Sequence, residues 1–239
     1  MSTPGRAPLV TVRDASVSFG DVHALRAATL DIHAGEFVAV IGANGSGKTT
    51  LLRLLHGVVA YSGSRRAAVA TQAMVFQRPF LLRLSVWNNL RVALWLAHRR
   101  MPAAQRRARA EQALRRVGLG AMRERPARSL SGGEQQRLAL ARGWAVEPAI
   151  LYLDEPTANL DPSAKKEVET LLTGFAAEGM TLVMSTHNLG QAKRLATRIV
   201  FMDGGRVDTD LPAADFFDSR TDGRADLFLK GELSWSLDG

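Results

Sequence analysis

Two stretches of this sequence combine glycine with polar residues in patterns that suit phosphate binding. The first is Gly42–Thr49, which reads GANGSGKT and fits the pattern G-x-x-x-x-G-K-[ST]. Its glycines let backbone N–H groups converge on phosphate oxygens, and the helix that follows directs its positive end to the same place. We expect Lys48 to reach the β- and γ-phosphates of a nucleotide and the Thr49 hydroxyl to bind Mg²⁺. The alternative is a strand-to-helix turn that binds nothing.

The second stretch is Leu130–Gln135, LSGGEQ, whose Ser131 lies 83 residues after Lys48. Ser131 and Glu134 have the spacing of a capping box, so an ordinary helix start explains part of the pattern. Capping does not require Gly132 and Gly133, each of which weakens a helix by roughly 1 kcal/mol relative to alanine. Because two glycines also leave the backbone open to an anion, we interpret the stretch as a second phosphate site. One triphosphate does not need both sites.

Two acidic residues follow a strand pattern. Ile150–Leu153 predicts a buried parallel strand, and Asp154 and Glu155 come directly after it, at the sheet edge where α/β proteins bind ligands. Asp154 suits Mg²⁺ through a water, and Glu155 suits the orientation or deprotonation of an attacking water. The alternative is that both acids favour a helix start. Asp161, directly before a proline, already supplies that cap.

The elements that position these residues predict an α/β chain. Leu9–Phe19 and Leu25–Ile32 alternate apolar and polar residues and predict antiparallel strands. Further β-prone runs alternate with helical patterns and predict a parallel sheet with crossovers. These runs are Phe37–Ile41, Ala73–Phe76, Ile150–Leu153, Thr181–Ser185 and Ile199–Met202. We expect a single domain over 1–239, with an inserted helical subdomain at about 85–145 and a short C-terminal tail at 204–239.

Together these residues resemble the nucleotide-binding subunit of ABC transporters, over about Val10 to Asp203. The resemblance implies a P-loop NTPase core with an N-terminal antiparallel β subdomain and an inserted α-helical subdomain. It also implies ATP and Mg²⁺ as ligands, ATP hydrolysis, and a head-to-tail homodimer in which the signature stretch, Leu130–Gln135, contacts ATP on the other copy. The residues implied in this contact are Ser131, Gly132, Gly133 and Gln135.

The resemblance assigns roles to residues that would not stand out alone. Gln77 matches a glutamine that senses Mg²⁺ and the attacking water, and His187 matches a histidine that holds the γ-phosphate and water; the alternatives are an ordinary loop glutamine and a structural histidine. Asp161 lies in a stretch resembling the loop that crosses the dimer interface. Phe19 stands where many relatives stack a tyrosine on adenine, and a phenyl ring retains the stacking, although a core position is the alternative.

The implied roles form three sets. The ATP-binding set is Phe19, Gly42, Ala43, Asn44, Gly45, Ser46, Gly47, Lys48, Thr49 and Thr50. The metal set is Thr49, Gln77 and Asp154. The catalytic set is Glu155, His187 and Gln77.

The net charge of +8 is concentrated in one segment, 97–128, which has ten arginines and two glutamates. A solvated helix face, a surface for anionic lipid or an acidic partner, and a nucleic-acid surface all remain open. The chain has no cysteine, which excludes disulfides. No apolar run approaches the roughly 20 residues of a membrane span, and residues 1–8 do not read as a secretory signal. We expect a peripheral protein on the cytoplasmic side of the membrane.

The absence of a fused membrane segment resembles importers with separate permease subunits, served by an extracytoplasmic solute-binding protein. The apolar loop Phe80–Leu82 would lie near the permease, although a plain contribution to the core is the alternative for each of its side chains. Met74–Arg83 and Phe228–Leu233 are similar to ATPases of tungstate- and phosphate-type oxyanion importers, with polar amino acid importers as the alternative.

A DNA-associated ATPase of the same superfamily is a further alternative. It would usually carry a long coiled coil or a zinc module, so we expect no nucleic-acid partner.

Overall fold

The computed structural model describes residues 7–218 and 223–230 and contains two sheets flanked by helices. The described strands are β1 (Val10–Phe19), β2 (Val22–Ile32), β3 (Phe37–Ile41), β4 (Ser62–Ala67), β5 (Gln72–Val75), β6 (Ile150–Asp154), β7 (Thr181–Ser185), β8 (Arg198–Asp203) and β9 (Arg206–Pro212). The described helices are α1 (Lys48–His56), α2 (Val86–Ala97), α3 (Ala103–Arg116), α4 (Gly132–Ala145), α5 (Pro162–Ala177), α6 (Leu189–Leu195), α7 (Ala213–Phe217) and α8 (Arg224–Lys230).

The smaller sheet is antiparallel and has the order β2-β1-β4. Its buried face packs on α1, since Val12, Val17 and Leu25 share a core cluster with Leu51 and Leu55. Helix α1 therefore lies between this sheet and the larger one. The sequence predicted β1 and β2 but not β4, whose residues are mostly exposed.

The larger sheet has the order β5-β6-β7-β3-β8-β9 and positions the site. The neighbouring pairs from β5 to β8 are parallel, and β9 runs antiparallel to β8. Every residue of β3, β6 and β7 is buried, as expected for central strands covered on both faces. Strand β9 lies within the predicted C-terminal tail, 204–239, and forms one edge of this sheet. Part of that segment therefore belongs to the sheet. Residues 231–233 of Phe228–Leu233, and 1–6 of the N-terminal stretch, lie outside the described residues.

Helices α2, α3 and α4 pack against one another within the segment predicted to be a helical insertion. Leu90, Leu114 and Leu138 are fully or almost fully buried at their contacts. In the part of the chain that the structure describes, no helix combines the length and hydropathy needed to cross a membrane.

Several arginines of segment 97–128 contribute to packing. Arg109 and Arg116 lie over the Trp144 ring, at 5.1 and 5.0 Å from its centroid. Arg109 also pairs with Glu147, and Arg116 pairs with Glu178 at 2.6 Å. Part of the positive charge therefore stabilises the subdomain by cation–π contacts and ion pairs.

Candidate functional site

The glycine-rich loop joins the end of β3 to the start of α1 and follows a path that other residues would obstruct. Gly42 has φ 148°, and an added Cβ there would collide with the carbonyl oxygen of Met202. Gly47, the N-cap of α1, has φ 98°, and a Cβ there would lie 2.6 Å from the carbonyl oxygen of Ala24. The backbone is thus held close to its neighbours at both ends of the loop.

Lys48 begins α1, and its side chain folds back against the start of this loop. Its Nζ donates to the carbonyl oxygens of Gly42 and Ala43, at 2.9 and 2.8 Å, and the residue is only 6% exposed. Burial lowers the pKa of the ammonium group, while the nearby Glu155 and Asp154 carboxylates oppose that shift. A cation inside a loop at a helix N-terminus fits the charge of a bound phosphate chain.

Asp154 joins the glycine-rich loop to the sheet edge. Its Oδ1 accepts hydrogen bonds from Thr49 Oγ1 at 2.8 Å and from Ser185 Oγ at 2.7 Å. Ser185 is the register partner of Asp154 on β7 and is fully buried. A hydroxyl and a carboxylate this close to each other offer the hard oxygen ligands that Mg²⁺ prefers, so the residues fit the predicted metal.

Glu155 lies one residue beyond β6 and has a left-handed backbone, with φ 42°. Its backbone N–H lies 3.0 Å from Ser185 Oγ and 3.2 Å from the Ser185 carbonyl oxygen, both in position to accept a hydrogen bond. Its Oε2 lies 3.2 Å from His187 Nδ1. Gln77 lines the same 440 Å³ cavity as Glu155 and His187. The structure therefore brings together the three residues predicted to be catalytic.

The chain matches a known family. A sequence profile described as ABC transporter covers residues 25–158, which is more than half of the chain. This chain belongs to the ABC transporter family. It is an importer ATPase subunit that binds ATP and hydrolyses it to drive transport.

Three similar proteins illustrate the relationship. The glutamine transport ATP-binding protein GlnQ of Bacillus subtilis is 37% identical over 242 residues, covering 95% of this chain and 100% of GlnQ. The tungstate uptake system ATP-binding protein TupC of Peptoclostridium acidaminophilum is 36% identical over 207 residues, covering 83% of this chain and 96% of TupC. A dimeric post-hydrolysis structure of the cassette MJ0796 with ADP and Pi is 28% identical, with a TM-score of 0.77, covering 85% of this chain and 98% of that one. The predicted fold class is confirmed.

The signature stretch of this ABC ATPase begins α4 and forms the predicted capping box. Ser131 Oγ accepts from the Glu134 N–H at 3.3 Å, and Glu134 Oε2 accepts from the Ser131 N–H at 2.8 Å. Gln135 Nε2 donates to the Leu130 carbonyl oxygen at 2.9 Å. The capping box and the amide contact order the backbone of the stretch while Ser131 stays exposed.

The two glycines of the signature stretch differ in their surroundings. A Cβ on Gly133 would lie 2.7 Å from the Cβ of Ala164 in α5, so helix packing alone explains this glycine. A Cβ on Gly132 would have only Leu160 Cδ2 near it, at 3.9 Å. Packing within the chain thus does not explain Gly132. Of the two glycines, only Gly132 still supports the interpretation that the backbone is left open to an anion.

A further cavity of 670 Å³ adjoins the glycine-rich loop on the side of the β1–β2 hairpin. It is lined by part of the loop, by Glu155 and by neighbouring residues that include Val22 and Arg26. Phe19 ends β1 at 51% exposure, three residues before Val22 and outside the lining itself. Its exposure does not support the core alternative.

The structure also places residues that the sequence analysis did not single out. Gln191 is 1% exposed; its Oε1 accepts from Thr186 Oγ1 at 2.9 Å, and its Nε2 donates to Thr157 Oγ1 at 2.9 Å. This amide fixes the loop that carries His187. Asn188 caps α6 by accepting from the Gln191 N–H at 2.9 Å, and an asparagine before a helical pattern is a signal the sequence offered.

Proposed function

We propose that this ATPase works as a homodimer in which Ser131 and Gly132 of each copy contact the ATP held by the Gly42–Thr49 loop of the other copy. The observation that carries the proposal is the open space at Gly132, at the start of a capped helix whose first N–H groups can meet an anion. Among the described residues, Ser131 and Gly132 line neither cavity of the ATP site. A second copy would supply the missing contact. Asp161, which caps α5, would lie at the same interface.

For hydrolysis, we assign Glu155 to the attacking water and His187 to the γ-phosphate side. The 3.2 Å approach of His187 Nδ1 to Glu155 Oε2 supports their action on one water. Thr49, Asp154 and Gln77 would hold Mg²⁺, which would neutralise phosphate charge. Phosphoryl transfer asks the protein mainly to position groups and to stabilise charge, and these side chains are suited to that work.

We further propose that separate permease subunits recruit this chain to the cytoplasmic side of the membrane, with a solute-binding protein acting indirectly. Phe80 is 69% exposed at the tip of its loop. Nearby, an 810 Å³ groove has Trp87 and Trp95 in its lining, together with Arg91 and Arg123. Membrane fractionation of the chain co-expressed with its permease tests this. Release from nucleic acid by salt would support the DNA-associated alternative instead.

The comparisons favour a polar amino acid as the solute, because GlnQ matches 95% of this chain at 37% identity. An oxyanion, tungstate or phosphate, was the first expectation from the sequence and becomes the second candidate here, because TupC is 36% identical over 83% of the chain. The two candidates are separated by reconstituting the ATPase with its permease and binding protein. Stimulation of ATP hydrolysis is then measured with glutamine, tungstate and phosphate in turn.

The homodimer is tested with Glu155→Gln, which keeps the size of the side chain and one acceptor oxygen but replaces the other oxygen by an amide donor and removes the charge. We expect ATP binding to persist, turnover to fall by at least about a hundredfold, and an ATP-bound dimer to accumulate in size-exclusion chromatography. A variant that hydrolyses ATP at the normal rate, or stays monomeric with ATP bound, contradicts the proposal. Lys48→Ala combined with Glu155→Gln is the control, since weaker ATP binding should prevent accumulation of the dimer.

A further inference from the structure

Helix α4 is fixed by close packing at both ends. Near its start, a Cβ on Gly133 would lie 2.7 Å from that of Ala164 on α5. Near its end, a Cβ on Gly143 would lie 2.8 Å from Leu151 Cδ1 and 3.4 Å from Val75 Cγ2, on β6 and β5. Close packing at both ends sets the position of α4 relative to α5 and to the strands of the larger sheet. One helix thus connects the signature stretch at its start with β5 and β6 near its end.

Arg142 leaves this helix next to Gly143 and reaches the loop after β5. Its Nη1 donates to the carbonyl oxygen of Phe80 at 2.7 Å. Phe80 lies three residues beyond Gln77, so the hydrogen bond holds the middle of the 76–85 loop that carries the glutamine. Arg142 and Phe80 also line a 270 Å³ cavity between α4 and this loop. The helix that begins with the signature stretch is thus attached directly to the glutamine loop.

The electrostatic surroundings of Arg142 are unfavourable for a purely structural residue. Burial lowers the pKa of its guanidinium group, and its buried Nε has no hydrogen-bond partner. No carboxylate in residues 7–218 and 223–230 forms an ion pair with it. By contrast Arg137, on the same helix, pairs with Glu167 of α5. An apolar side chain would avoid the cost of desolvating an unpaired cation, so stability alone does not account for an arginine at this position.

We propose that Arg142 is a positioning residue that couples the two phosphate sites. By holding the Phe80 carbonyl to α4, it fixes the position of Gln77, beside Glu155, relative to the signature stretch at the start of the same helix. The inference rests on the proposed function, because it needs the signature stretch to act on a second ATP. Arg142 itself touches neither the nucleotide loop nor the residues assigned to the attacking water in this structure. Its effect on hydrolysis passes through Gln77.

The test compares Arg142→Met, which keeps the length and apolar contact of the side chain, with Arg142→Lys and the control Arg137→Met. We expect Arg142→Met to lower kcat by about tenfold to a hundredfold, with KM for ATP within about twofold of the unchanged protein. Its Tm should stay level or rise, because a half-buried cation without an ion-pair partner is gone. Arg142→Lys should regain part of the kcat by restoring a donor. Arg137→Met should leave kcat within about twofold.

Rates are divided by the fraction of protein that binds ATP, so a folding defect does not imitate the effect. The inference is overturned if Arg142→Met keeps its kcat, if KM rises in step with the loss, or if Arg137→Met loses as much activity. Dimer formation by Glu155→Gln, with Arg142 unchanged, tests the proposed function separately. If that variant dimerises and Arg142→Met is fully active, only the coupling role fails.

Discussion

The hydroxyl of Ser185 donates a 2.7 Å hydrogen bond to Oδ1 of Asp154 across two parallel strands. The same oxygen of Ser185 accepts the backbone N–H of Glu155 at 3.0 Å. One buried hydroxyl thus orients the proposed metal carboxylate and anchors the strained backbone of the proposed catalytic glutamate. Glu155 is held with φ 42°, a conformation that costs a non-glycine residue about 1 kcal/mol or more and that persists only where surrounding contacts impose it.

We therefore predict that Ser185→Ala lowers both stability and turnover. The loss of the buried hydroxyl should reduce the free energy of unfolding by about 1–2 kcal/mol. Because Asp154 and Glu155 lose a common support, kcat should fall by about tenfold while ATP binding changes little. Urea unfolding and steady-state ATPase assays check the two effects. Thr173→Ala, which removes a hydroxyl from the exposed side of α5, is the matched control and should change neither quantity much.

The two signature glycines should respond differently to alanine. Gly133→Ala places a Cβ 2.7 Å from that of Ala164, and overpacking of this kind costs about 1–3 kcal/mol. The second substitution Ala164→Gly should recover stability by making room. Gly132→Ala has space and replaces a helix-weakening glycine, so it should leave stability unchanged or raise it by up to about 1 kcal/mol, yet it should impair ATP-driven dimerisation of Glu155→Gln. Equal destabilisation by the two alanines would show that α4 and α5 are not in the contact described.

The central part of the fold was predictable because its signals are local. β3, β6 and β7 are continuous apolar runs, and a strand buried on both faces needs no other pattern. β4 and β9 were missed because they are edge strands with exposed charged residues, such as Arg66 and Asp208, whose pairing depends on distant partners. Their existence is set by the tertiary structure.

Candidate site residues could be predicted where they belong to a local sequence motif. They could not be predicted where the pairing of two strands brings distant residues together. The sequence offered Lys48 and Asp154 as candidates from the local patterns around them. It did not identify Ser185, which is 31 residues from Asp154 and meets it only because β6 and β7 pair in one register. Gln191 was missed for the same reason, since its partner Thr157 is 34 residues away. Side chains that support a site from another element leave no spacing for a sequence reader to recognise.

The capping box predicts a pH dependence of stability. The hydrogen bond from the Ser131 backbone holds the pKa of Glu134 below its ordinary value of 4.5. A depressed folded-state pKa means that the ionised form stabilises the protein at pH values above 4.5, and that this stabilisation is lost as pH falls through the lower folded value. Glu134→Gln should therefore be less stable than the unchanged protein at pH 7, and the difference should shrink as pH falls below 4.5, by urea unfolding. A difference that stays constant with pH contradicts this origin.

Substitution of Ser131 by arginine separates ATP binding from the contact between copies. The side chain is exposed at the start of α4 and lines neither cavity next to its own glycine-rich loop. Ser131→Arg should thus leave the ATP affinity of the monomer within about twofold, at the cost of about 1 kcal/mol from the lost cap. Its bulk would prevent closure on the second ATP, so Glu155→Gln combined with Ser131→Arg should remain monomeric by size-exclusion chromatography. Ser129→Arg adds the same charge two residues earlier, outside the cap, and should still permit dimers. A large loss of monomer affinity in Ser131→Arg would instead place Ser131 at the nucleotide of its own chain, and the two-copy arrangement would then have no role for it.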